Sequence, residues 1–161
     1  MKTAHRNASR AKRSPINIQR ADPTSLLRVM ARLQPLTDAE KITLENPVLL
    51  AYQKLSTGAG TEQCFHTLAG AINVTMVLCE DIADPLPEQT AKLGLDALMR
   101  TLARHQKIGQ WGFDALALQH LPPAIDLYQQ LLAMLPPLQF SKAMTETIRR
   151  MEAGNVLEVT A

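Results

Sequence analysis

Hydrophobic residues recur at helical spacing along most of the chain from residue 22 onward. The sequence Asp22-Pro23-Thr24 predicts the start of a short helix, and Pro35 lies just beyond its end. The apolar positions of this helix are Leu26, Leu27, Met30 and Leu33. Thr37 and Glu40 then form a capping-box pattern that predicts a second helix start. Because proline breaks the helical hydrogen-bond ladder, Pro47 predicts two short helices here, one ending near Glu45 and one running through Val48 to Leu55.

The segment 61–81 is predicted to be the central helix, since it is apolar on almost every side. Gly58 and Thr61 have the residue types that end one helix and begin the next. An amphipathic helix follows over 88–108, after a loop at 83–87, and Gly109 ends it. Its predicted core stripe is Leu95, Leu98, Met99 and Leu102.

The last third of the chain predicts two more helical stretches. One runs to about Leu135 and is interrupted at Pro122-Pro123. The other follows Pro136-Pro137, contains Met144, Ile148 and Met151, and ends near Gly154. The pattern therefore predicts an all-α protein, a single compact bundle of about six to seven helices around the buried helix 61–81. Its parts are a basic extended or disordered arm (1–21), a helical domain (22–154) and a C-terminal tail (155–161).

Composition supports this fold class. The chain has 161 residues, enough for one domain with a hydrophobic core, and 46% of them are hydrophobic but only 4% aromatic. β-Sheet proteins favour aromatic and β-branched residues, whereas leucine and alanine, which dominate here, favour helices. Two cysteines are too few for a disulfide scaffold and favour a reducing compartment.

Charge divides the chain into two unequal parts. Residues 1–32 carry eight basic residues and one acid, a net charge of +7, whereas residues 33–161 carry nine basic residues and fourteen acids, a net charge of −5. A basic arm of this kind can attract a polyanion or an acidic protein surface. A solvated tail and a targeting segment are the alternatives. The candidate contact residues in the arm are Arg6, Arg10, Lys12, Arg13 and Arg20.

The longest uncharged stretch, 63–79, does not favour a membrane span. It has seventeen residues, fewer than the roughly 20 that cross a bilayer, and acidic residues flank it. We therefore predict a cytoplasmic protein with no membrane partner.

No pattern of residues predicts catalysis, and we expect neither an enzyme nor a cofactor. Cys64 and His66 are two positions apart on one helix, so they point to different sides and cannot act as nucleophile and base. Glu62 and His66 share a helix face, but a metal site of the bundle type needs a second such pair on a facing helix. We therefore predict no metal site.

Two sets of residues in the second half of the chain favour binding. Arg100, Arg104 and Lys107 recur at steps of four and three and predict a basic stripe. The alternative is an ordinary solvated helix face, with Arg100 paired to Asp96. Trp111 and Phe113, in a glycine-containing loop, predict either an anchor for a partner or a plug at the end of the bundle.

Three segments carry a resemblance to a known group of proteins. They are 58–73 (GAGTEQCFHTLAGAIN), 104–114 (RHQKIGQWGFD) and 148–157 (IRRMEAGNVL). The chain from about Leu49 onward resembles small helical accessory proteins of bacterial plasmids, integrative elements and phages; the arm lies outside the resemblance. The resemblance implies an accessory protein of a mobile genetic element. The absence of a catalytic pattern and the uneven charge predict that it is non-catalytic and binds a bacterial protein or ribonucleoprotein complex, and the resemblance adds anti-CRISPR-type inhibition as the expected role. The alternative is a DNA-binding transcriptional regulator or plasmid-maintenance factor, with the arm and the basic stripe on phosphates.

Overall fold

The computed structural model describes residues 34–154, which form helices joined by short loops, with no β-strand in that range. The helices of this part of the chain are α1 (Asp38–Ser56), α2 (Glu62–Cys79), α3 (Pro85–Ile108), α4 (Ala115–Met134) and α5 (Pro137–Glu152). The predicted arm, the helix predicted to begin at Asp22-Pro23-Thr24 and the tail 155–161 lie outside the described residues.

Polar side chains begin the first four of these helices, as the sequence signals for α1 and α2 predicted. Thr37 accepts a hydrogen bond from the Glu40 backbone N–H, and the Glu40 carboxylate accepts one from the Thr37 backbone N–H at 2.8 Å. Thr61 caps α2, Asp84 caps α3 and Asp114 caps α4. The predicted stop signals are also confirmed, since Gly58 and Gly109 adopt the left-handed conformation that favours glycine (φ 76° and 72°).

The predicted breaks at proline are wrong, and this accounts for the lower helix number among the described residues. Pro47 lies inside α1 and Pro122-Pro123 inside α4. Each proline removes one backbone hydrogen bond, but buried residues on the C-terminal side of each proline hold the helix in place. These are Val48, Ala51 and Leu55 in α1, and Ala124 and Ile125 in α4. The predicted loop 83–87 is also too long, since Pro85 occupies the first turn of α3, where a missing N–H costs nothing.

Helix α2 contacts each of the other four helices in the described part of the chain, and ten of its 18 residues are buried. Small residues allow one especially close approach between its neighbours. A Cβ atom placed on Gly94 of α3 would lie 2.7 Å from the Cβ of Ala124 in α4 and 3.4 Å from Ile72 of α2. The α3–α4 packing therefore requires glycine at position 94.

The apolar stripes predicted for α3 and α5 are only partly covered. Leu98 and Leu102 are buried as predicted, whereas Met99 is 44% exposed because Ala97 and Thr101 take the core-facing positions instead. In α5 the buried residues are Phe140, Ala143 and Thr147. Exposed in the same helix are Met144, Ile148 and Met151. Within residues 34–154, none of the helices is both long and apolar enough to cross a membrane.

Candidate binding surface

An aromatic cluster closes the end of the bundle at which α1 and α3 end and α2 and α4 begin. The Trp111 ring lies flat on the His105 ring, with centroids 3.8 Å apart and planes 9° apart. The Trp111 ring also contacts Phe65, with the two ring centroids 5.0 Å apart. Phe113 contacts Tyr52 at 5.5 Å. These contacts join α1, α2 and α3 through the loop that precedes α4.

The backbone fixes this loop against the turn between α1 and α2. The Phe113 N–H donates a hydrogen bond to the Leu55 carbonyl at 3.3 Å. Gly112 is buried, and a Cβ atom there would lie 3.5 Å from the Cα of Gly58. Trp111 and Phe113 are both half-buried and packed against the core. Their contacts are those of a plug, and a role as partner anchors stays a prediction.

The three residues of the predicted basic stripe differ in their surroundings, because Arg100 is half-buried and paired with an acid whereas Arg104 and Lys107 are exposed. Arg100 is directed toward the cap of α4, where its Nε lies 3.4 Å from the Asp114 carboxylate. The same carboxylate accepts a hydrogen bond from the Ala117 N–H at 2.6 Å. The side chain of Arg100 is 35% exposed, and in the described part of the chain it pairs with Asp114 rather than with Asp96. Arg100 therefore links α3 to the start of α4.

Arg104 and Lys107 are exposed, and within residues 34–154 neither has an acidic group within 4.0 Å. Their spacing puts them on one face of α3 together with Ile108, which is 52% exposed. We call Arg104, Lys107 and Ile108 the basic end. Ile108 was not among the predicted contact residues; the signal for it is an isoleucine in the last turn of α3, outside the predicted core stripe. The arm residues Arg6, Arg10, Lys12, Arg13 and Arg20 lie outside the described residues.

The cysteine and histidine of α2 are held apart. Cys64 is buried, whereas His66 is exposed and lies 3.5 Å from the Glu62 carboxylate. Burial raises the pKa of the Cys64 thiol, but hydrogen bonds from Thr61 and the charge of Lys54 outweigh it, so that the pKa lies below its usual value. In the described range no three histidine, cysteine, aspartate or glutamate residues are grouped as a metal site requires.

The other end of α2 is tied to α5 by an ion-pair network. Arg150 donates to the Glu80 carboxylate at 2.7 Å and to the Glu146 carboxylate at 2.8 Å. Arg149 donates two further hydrogen bonds to Glu146, both at 2.7 Å. Hydrogen bonds from Arg149 and Arg150 lower the pKa of Glu146 to about 2. These two arginines are therefore engaged by acids, unlike Arg104 and Lys107.

No protein-family model, curated protein or solved structure matches this chain. The resemblance to accessory proteins of mobile elements therefore stays a prediction, and the surface itself must support any statement about function.

Proposed function

We propose that this protein is a non-catalytic accessory protein that binds an acidic surface of a bacterial protein or ribonucleoprotein complex with its basic end. The observation that carries the proposal is the exposure of Arg104 and Lys107, without acidic partners in the described part of the chain, next to the exposed Ile108. Arg150 and Arg149, by contrast, are already paired within the fold.

Three physical properties of the basic end favour binding: electrostatic steering, apolar contact area and rigidity. Unpaired basic groups accelerate encounter with an acidic partner and fix its orientation. An exposed isoleucine among them adds apolar area at the centre of the contact. The stacked rings of His105 and Trp111 brace the last turn of α3, so little side-chain or backbone order has to be gained on binding.

The arm extends this surface with the five basic residues Arg6, Arg10, Lys12, Arg13 and Arg20. A second basic segment on the same chain raises the local concentration of the protein at an acidic target. Inhibition of a host defence complex, of the anti-CRISPR type, is the role that the resemblance favours within this class. We place the protein in the bacterial cytoplasm on the same basis.

A DNA-binding regulator or plasmid-maintenance factor is the second candidate, favoured by the +7 charge of residues 1–32. Phosphate contacts by Arg104 and Lys107 would position the protein without reading sequence. Replacing both by glutamine would then reduce the slope of log affinity against log salt by about 2, since each phosphate contact contributes about 0.9.

The deciding experiment is capture of partners from a bacterial lysate with tagged full-length protein, with and without nuclease. A second bait carries glutamine at the five basic arm positions. Recovery of a defined protein complex that survives nuclease supports the first candidate. Recovery of DNA with its bound proteins, lost on nuclease treatment or on neutralisation of the arm, refutes it in favour of the second.

A further inference from the structure

An apolar groove of about 650 Å³ runs between α1, α2 and α5. Its floor is formed by small residues of α2, among them Gly70 and Ala71. Its walls carry large apolar side chains that are 38–53% exposed. These wall residues are Leu44, Met144 and Ile148. Covering these side chains would stabilise the protein, because removing apolar surface from water is favourable.

The groove has the dimensions of a short helix. Its α5 wall extends from Pro137 to Ile148, about 17 Å at 1.5 Å per residue, and the opposite wall extends from Leu36, just before α1, to Val48 in α1. A ten-residue helix is about 15 Å long. The floor also admits a close approach, because no atom of the described residues lies within 4 Å of a Cβ placed on Gly70.

The chain itself supplies a helix-forming segment of this length directly before the groove. Residues 24–33 have large apolar side chains at 26, 27, 29, 30 and 33, which share one face at helical spacing, with Arg28 and Arg32 on the opposite face. Leu36, only three residues later, already lines the groove. Two helices joined by a connection of 2–5 residues commonly form an antiparallel hairpin.

We propose that residues 24–33 form a helix that fills this groove and runs antiparallel to α1. Leu26, Leu27, Met30 and Leu33 would then bury against Leu44, Met144 and Ile148. Charge agrees with this placement, since Arg28 and Arg32 fall on the solvent side of a helix whose apolar stripe faces α2.

A helix at 24–33 in this groove, antiparallel to α1, would also fix the point at which the arm joins the bundle. Because α1 and α2 are joined by a short turn, Leu36 lies toward the Val74 end of the groove and His66 toward the other end. The His66 ring lies 5.8 Å from that of Phe65, which contacts Trp111. Residue 24 would therefore lie near the aromatic cluster, and the arm would start on the side of Arg104 and Lys107. Any effect of this arm position on binding rests on the proposed function, whereas the packing of residues 24–33 in the groove is independent of it.

Hydrogen exchange of the free, full-length protein, read by mass spectrometry, tests the contact without any partner. We expect peptides covering 24–33 to exchange at least tenfold more slowly than peptides of the arm. Leu27→Gln with Met30→Gln should abolish that protection, whereas the matched pair Arg28→Gln with Arg32→Gln should keep it. Gly70→Leu, which places a large side chain on the groove floor, should also abolish protection of 24–33 while the hydrogen exchange of α1 to α5 stays unchanged.

Rapid exchange of 24–33 in the wild-type protein overturns the proposal, as does protection that survives both the Leu27/Met30 pair and Gly70→Leu. A second copy of the chain in the groove would also overturn it. That occupant would make protection depend on protein concentration and would appear as a dimer in light scattering. Because no partner takes part, failure here leaves the lysate experiment on the basic end unaffected, and the reverse also holds.

Discussion

The close approach of α3 and α4 at Gly94 makes the sharpest prediction about stability. Gly94→Ala places a methyl group 2.7 Å from the Cβ of Ala124, whereas ordinary contact begins at 3.4 Å. The two helices must therefore separate by about 0.7 Å, because both atoms are fixed to helix backbone. Overpacking of a core costs about 1–3 kcal/mol and alanine gains up to about 1 kcal/mol of helix propensity over glycine. Because neither methyl group can move without its helix, the cost should lie in the upper part of this range, and we expect a net loss of about 1–2 kcal/mol.

Urea denaturation followed by circular dichroism measures this loss, and a double-mutant cycle identifies its cause. Ala124→Gly restores the space, so the double variant should be more stable than the sum of the two single effects by about 1–2 kcal/mol. Ala124→Gly alone is the control, since it removes a methyl group at the same contact without adding one at Gly94. It should destabilise the protein, because glycine is a poorer helix former than alanine. A Gly94→Ala variant as stable as the wild type would refute the close packing of α3 on α4.

Three further predictions address the ion-pair network, the first helix cap and the cysteines. The pKa of Glu146 is lowered to about 2, so the stability that its ion pairs contribute is present above the unfolded pKa near 4.5 and is lost as the pH falls toward 2. In thermal denaturation from pH 6 to 2, the melting temperature of Glu146→Gln should therefore decline less than that of the wild type. Thr37→Ala removes the capping box and should cost about 1 kcal/mol by urea denaturation, whereas the control Thr43→Ala, on the same helix, should cost less than half of that. Under native labelling with iodoacetamide, Cys64 should react before Cys79, whose thiol pKa burial raises; the reverse order would contradict the assigned environments.

Local signals in the sequence predicted the local features well. Thr37, Thr61, Gly58 and Gly109 begin or end helices where their residue types indicated, because capping depends on backbone groups within one turn. Pro47 was misleading for the opposite reason. Whether a helix continues past a proline depends on the burial of the residues that follow it, and that burial is a property of the whole bundle.

The surface was less predictable, since it depends on contacts between distant segments. Nothing in the spacing of Arg100 indicated that it pairs with Asp114, across the loop between α3 and α4. The exposure of Met144 and Ile148 could not be foreseen either, because helical spacing shows which residues share a face but not what covers that face. Arg104 and Lys107 are exposed in the structure, and their part in binding stays a prediction.

The central claim is that the basic end binds the partner, and charge reversal there tests it most directly. The measurement is the affinity of the captured partner for Arg104→Glu with Lys107→Glu, compared with Lys92→Glu with Lys142→Glu. Lys92 and Lys142 are exposed bases elsewhere on the bundle, and the paired contact of Lys92 with Glu88 is a surface ion pair worth only about 0.5 kcal/mol. Both double variants change the net charge equally.

The account predicts that reversal at the basic end weakens binding at least tenfold and that reversal at the control positions weakens it less than threefold. Equal losses in the two variants would show that only overall charge matters. Unchanged affinity in the Arg104/Lys107 variant, with its fold intact by circular dichroism, would contradict the account.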